Sequence, residues 1–211
     1  MSSHLYPLSE LQRSDPDDAT AWTLSRYNAL LGALQSRGVA NAPNVAAAIV
    51  AHWARESGYG RGHDRDGNGT RDGGEYRYNI GNIKDSAAWH GDGQILPDGL
   101  AYRAYPDLAS GIADTLNLLQ AHRADHSYGE AFDRLVATGD GHAWYDAIMR
   151  AGWHPWSQGA LDAYDSILAT VRRTVSLAPV PPPVPNTGKA IAVGAITAGA
   201  FLAWWLTRKA R

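Results

Sequence analysis

The sequence predicts an α+β fold that is mostly α: a helical domain interrupted by one small β-hairpin, then a proline-rich linker and a C-terminal transmembrane helix. Three observations predict it. Apolar residues recur every three or four positions in six stretches, several of them bracketed by capping residues. Between the second and third stretches the chain turns rich in Gly and Asp, with short apolar pieces. Near the end, a run of prolines precedes a long stretch without charge.

The elements follow in order. Residues 1–14 read as a flexible arm. Asp15-Pro16-Asp17-Asp18 then offers an N-cap, a proline at the first helical position and acids in the first turn. A helix is expected to about Arg37, stopped by Gly38, with Trp22, Tyr27, Leu30, Leu31 and Leu34 on its core face. A second helix, about 43–57, stops at Gly58 and turns Val45, Ile49, His52 and Trp53 inward. Gln94-Ile95-Leu96, Pro97-Asp98-Gly99 and Leu100-Ala101-Tyr102 read as a hairpin. Helices resume near Pro106, with Leu108, Ile112, Leu116 and Leu119 on one face, and shorter ones cover about 128–138, 141–151 and 158–176. The folded domain is therefore expected over 15–177, the linker over 178–188 and the anchor over 189–211.

Composition excludes some chemistry. Cysteine is absent, so there is no disulfide framework or thiolate chemistry, and the net charge of −2 gives no general reason to expect nucleic acid. Eight Trp and ten Tyr against two Phe favour aromatics with a polar edge, which suit sugar stacking as well as half-buried packing. Met1 to Tyr6 has neither a basic nor an apolar leader region, so no signal peptide is expected there. Ala190 to Leu206 is an uncharged run of 17 residues, roughly 25 Å as a helix, at the short end for crossing a membrane. Trp204 and Trp205 near one end and Arg208, Lys209 and Arg211 beyond it suit a membrane boundary. The other reading of this run is a docking or self-associating helix built on Ala195 and Gly199.

One acid stands out. Continuing the inward spacing of the second helix by one step reaches Glu56. Burial and the negative end of the helix dipole would both raise its proton affinity, as a general acid near neutral pH requires. His52, four residues before it, either tunes that acid or simply packs.

Five motifs follow in order: Glu-Ser-Gly-Tyr-Gly-Arg (56–61), Tyr-Asn-Ile-Gly-Asn-Ile-Lys (78–84), Trp-His-Gly (89–91), Tyr-Arg-Ala-Tyr-Pro-Asp-Leu (102–108) and Ala-Gly-Trp (151–153). On these, the chain resembles the glucosaminidase domains of glycoside hydrolase family 73, within the lysozyme-like superfamily, over about residues 25–175. The resemblance implies a lysozyme-like fold and cleavage of a β-1,4 bond of peptidoglycan. It makes Glu56 the catalytic acid and places Tyr78, Asn79 and Lys84 in the cleft floor, with Trp89 and Tyr105 framing the groove.

The chain departs from the family where a second carboxylate usually follows the Trp-x-Gly. Asp92, Asp98 and Glu75 are the candidates for that partner. A single-acid mechanism, the lytic transglycosylase route through the muramyl 6-hydroxyl, is the alternative. A wall-binding or virion-assembly module without catalysis is the reading from another class.

Residues 64–75 fit the calcium-loop pattern D-x-[DN]-x-[DN]-G-x5-E, with ligands from Asp64, Asp66, Asn68, the Thr70 carbonyl, Asp72 and Glu75. Arg65 and Arg71 weaken the local negative charge, and a polar glycine-rich loop is the plain alternative. Glu75 cannot serve both as calcium ligand and as second acid. Expected partners are therefore glycan strands and a lipid membrane, and the setting that joins them is a phage particle with an internal membrane.

Overall fold

A computed structural model describes residues 5–6, 18–60, 75–84, 86, 90–95, 100–122, 127–153 and 155–177. The chain divides into two units, Met1–Ala178 and Pro179–Arg211, the boundary falling at the proline run. The second unit lies outside the described residues, and so does the proposed membrane segment; no described helix is long and apolar enough to cross a membrane.

The first unit is α+β and mostly α. Its described residues form six helices: α1 (Ala19–Ser36), α2 (Ala42–Ser57), α3 (Leu108–Leu119), α4 (Tyr128–Thr138), α5 (Gly141–Arg150) and α6 (Gln158–Leu177). Three short strands, β1 (Leu5–Tyr6), β2 (Gly93–Ile95) and β3 (Ala101–Arg103), make one small sheet in that order. β2 and β3 are antiparallel, with Gly93 opposite Arg103 and Ile95 opposite Ala101, which is the expected hairpin.

Two expectations at the start of the chain need correction. The arm at 1–14 supplies β1, which pairs in parallel with β2; an unpaired strand edge offers hydrogen bonds that a Leu-Tyr pair readily takes. The cap of α1 is Asp18, not Asp15: its carboxylate accepts from the Thr20 N–H at 2.8 Å. Three acids compete for that role, and the one nearest the continuous apolar spacing holds it.

α2 is the centre of the core, packed by α1, α4, α5 and α6. The sequence shows an inward stripe, yet the helix is buried almost all round, from Val45 through Ala54. The reason is Ala46, Ala47, Ala48, Ala51 and Ala54. Alanine is too small to mark a hydrophobic face, and its size lets neighbouring helices approach from several sides. Gly141 shows the same closeness at the start of α5, where a β-carbon would meet Leu168, Tyr164 and Ala48 at 2.9–3.1 Å. Trp22, Leu30 and Leu34 from α1, Ile112 and Leu116 from α3, and Trp144, Tyr145 and Tyr164 from α5 and α6 complete the core.

Candidate active site

The site is built at the C-terminal end of α2. Gly58, in the left-handed region at φ 58°, ends the helix, and Tyr59 (φ 57°) turns the chain back with its N–H on the Ala54 carbonyl at 3.0 Å. Ser57 locks the turn: its hydroxyl donates to the Trp53 carbonyl at 2.7 Å and accepts from the Gly60 N–H at 2.9 Å. His52 and Trp53 are fully buried, while Glu56, one turn further, reaches the rim with its side chain 12 % exposed. Its carboxylate meets the Arg55 guanidinium at 3.0 Å. Helical spacing hides such a pair, because consecutive side chains diverge by about 100° and meet only when one long chain folds back.

The 78–84 motif lies against this end. Asn82 donates its amide to the Glu56 carbonyl at 2.9 Å, joining two motifs 26 residues apart. Asn79, expected at the cleft floor, is 1 % exposed and serves as scaffold instead. Its amide nitrogen donates to the Ile83 and Arg103 carbonyls, both at 2.9 Å, and its oxygen accepts from the Ile83 N–H at 2.8 Å. Without that side chain the turn would leave buried polar groups unmet. Arg77, Tyr78 and Asn82 all stand at positive φ (43°, 57° and 47°). Three non-glycine residues in the left-handed region amount to stored strain within one short segment. Gly111 of α3 makes room for it, since a β-carbon there would overlap the Tyr78 carbonyl oxygen.

Lys84 is exposed and bridges to Tyr102. Tyr105 is 5 % exposed and faces α3: its hydroxyl donates to Asp114 at 2.5 Å, and Arg103 donates to the same oxygen at 2.7 Å. Burial, reinforced by Asp114, drives the Tyr105 phenol well above its usual range, so it stays neutral. Its place is packing beneath the loop. Trp89 lies outside the described residues.

α5 closes the other side. Tyr145 is fully buried, stacks on Tyr164 (centroids 4.1 Å apart, 8° between planes), and lies under Arg55, whose guanidinium is 5.8 Å from the ring centre. Burial raises the Tyr145 phenol far above its normal range; Arg55 pulls it down and Glu56 pushes it up. The Tyr145 hydroxyl has no hydrogen-bond partner among the described residues. His52 packs, its ring 5.0 Å from Trp153, 5.8 Å from Trp144 and 5.7 Å from Tyr145. Trp153 of the Ala-Gly-Trp motif also meets Tyr128 edge-on at 5.3 Å.

Glu75, at the end of the 64–75 loop, meets α1. It is fully buried, with one oxygen accepting from the Trp22 indole at 2.8 Å and from Arg26 Nε at 3.0 Å. The other oxygen pairs with Arg26 Nη2. Both oxygens of Glu75 are thus engaged by α1. The remaining calcium-loop positions, Asp64, Asp66, Asn68, Thr70 and Asp72, lie outside the described residues, as does Asp98. Asp92 is half-buried, and its carbonyl accepts from the Ala104 N–H at 2.8 Å.

Sequence reasoning passed over Arg55, Tyr145 and Arg26. Arg55 had a signal, standing beside the chosen acid; Tyr145 and Arg26 read as one more aromatic and one more surface cation. No family model, curated protein or solved structure matches the chain.

Proposed function

We propose that the domain is a lysozyme-like peptidoglycan hydrolase that cleaves a β-1,4 glycosidic bond with Glu56 as general acid. One observation carries the reading. Glu56 and the 78–84 loop are separate motifs in the sequence, and the hydrogen bond of 2.9 Å from the Asn82 amide to the Glu56 main-chain carbonyl joins them. As general acid, Glu56 would give its proton to the leaving oxygen of the glycosidic bond.

Of the three candidate second acids, Glu75 gives support to the single-acid version of this chemistry, while Asp92 stays a candidate and Asp98 lies outside the described residues. A two-carboxylate mechanism needs a second acid facing the first across the bond, and Glu75 is instead turned to Arg26 and Trp22. Attack by the muramyl 6-hydroxyl would replace water and leave a 1,6-anhydro end. A calcium ion in the 64–75 loop would have to draw Glu75 away from the same two partners. The apolar run at 190–206 would hold the domain at a membrane, and a phage particle with an internal membrane unites a wall-cleaving domain with such an anchor.

Glu56→Gln tests the acid. Clearing of purified murein should fall by at least 100-fold, the ordinary scale of lost general-acid catalysis, while melting and pelleting with murein stay as in the wild type. A variant that clears murein normally overturns the assignment. Wild-type protein that pellets with murein and never clears it favours the wall-binding module. Mass spectrometry of the products then separates a reducing end from a 1,6-anhydro end.

A further inference from the structure

We infer that Trp156, with Asp146 and Arg150, forms a stacking platform for a pyranose ring of the glycan, a binding surface separate from the Glu56 corner. Among the described residues, three large apolar side chains are exposed, and Trp156 is the aromatic one, at 44 %. Trp22, Trp53 and Trp144 are by contrast buried to within 1 %.

Trp156 is exposed but firmly held. Its indole N–H donates to one oxygen of Asp146 at 2.7 Å. The other oxygen of Asp146 accepts from Arg150 Nε at 2.8 Å, and the Arg150 guanidinium lies 4.6 Å from the centre of the indole. Each of the three side chains touches the other two. Asp146 and Arg150 stand one turn apart on α5, and Trp156 reaches back to them from the connection into α6.

This triangle does two things. It orders the indole before any ligand arrives, so the entropy of fixing an aromatic side chain is not charged to binding. It also sets a hydrogen-bonding group beside the indole: the Arg150 guanidinium, 59 % exposed, lies over one face of the ring with Nε on Asp146, and the exposed part of the indole is what the guanidinium leaves uncovered. A sugar ring presents C–H groups on one face and hydroxyls around its rim, so it matches an aromatic face flanked by donors. A merely structural tether would have no cause to leave the ring open. Arg150 holds the Asp146 carboxyl below its usual range, so the tether survives mild acid. α5 also carries Tyr145 beneath Arg55, so one helix supports both the acid's partner and the platform.

The choice of a glycan rests on the function proposed above. Titration of the full chain with a soluble hexamer of β-1,4-linked N-acetylglucosamine tests the platform. Trp156→Ala should weaken the hexamer at least tenfold with melting unchanged. Trp156→Phe should recover part of the loss, and Asp146→Ala should cost less than Trp156→Ala. A Trp156→Ala variant that binds like the wild type overturns the platform, as does a wild-type chain that takes a proline-rich peptide but no sugar. Clearing by Glu56→Gln is read in parallel: its persistence removes the acid assignment while leaving the hexamer result to stand or fall alone.

Discussion

The two halves of the candidate site cohere by different means. On the α2–α5–α6 side, aromatic and aliphatic groups pack together, and among the described residues the Tyr145 hydroxyl and the Trp53 and Trp144 indole N–H groups are buried without hydrogen bonds. Over the described residues of 75–105, Ile80, Ile83, Tyr102 and Tyr105 are buried as well, and polar side chains reach main-chain or charged partners. Asn79, Asn82, Gln94 and the Arg26–Glu75–Trp22 cluster do that work. The helical side tolerates an unmet polar atom because dispersion and burial outweigh it. The loop side takes more of its hold from polar contacts, although Gln94 Oε1 is buried there without a hydrogen bond among the described residues.

The sharpest test of this contrast is Arg26→Ala. It strands the Glu75 carboxylate at full burial, and unfolding in urea should show a loss of about 3–5 kcal/mol. Replacing both partners, as Arg26→Met with Glu75→Leu, should restore most of that loss, because the penalty comes from the unpaired charge. If the double variant is as unstable as the single, the cluster acts through shape and the contrast weakens.

Tyr145→Phe probes the other side. Removing a buried hydroxyl that has no partner among the described residues should leave stability unchanged or raise it by up to about 1 kcal/mol. A loss above that size would mean that the helical side, too, depends on polar contacts.

The smallest effect is expected on the exposed surface of the helical side, at His142, which meets Asp165 at 2.7 Å and joins α5 to α6. The hydrogen bond to Asp165 raises the imidazole above its usual value. The pair therefore contributes fully below about pH 6.5 and fades as pH rises through the raised folded value. Both groups are well exposed, so the contribution is a few tenths of a kcal/mol. The difference in melting temperature between wild type and Asp165→Asn should shrink from pH 5.5 to pH 8.5. A constant difference would assign the pair's effect to packing.

Much of the helical scaffold is legible in the chain because its signals are local. Asp107 and Asp140 cap α3 and α5 through N–H groups three residues on, at 2.7 and 3.1 Å. Gly38, Gly58 and Gly139 end α1, α2 and α4 at positive φ, where other residues are strained. The hairpin register follows from alternation about Pro97-Asp98-Gly99. The start of α1 was misplaced because three neighbouring acids present the same capping chemistry. Glu56 could be picked out because it extends an apolar spacing, and the 78–84 loop because its residues make a compact motif.

What the sequence determined by itself is the order and extent of the helices and the position of one acid at a helix end, since capping and 3.6-residue periodicity act within a few residues. What the tertiary structure decided is the company that acid keeps. Arg26 and Glu75 are 49 residues apart, Asn82 lies 26 beyond Glu56, and Tyr145 joins from another helix. Burial decides such pairings, because a charge or amide removed from water must find a partner wherever the packed core brings one within reach.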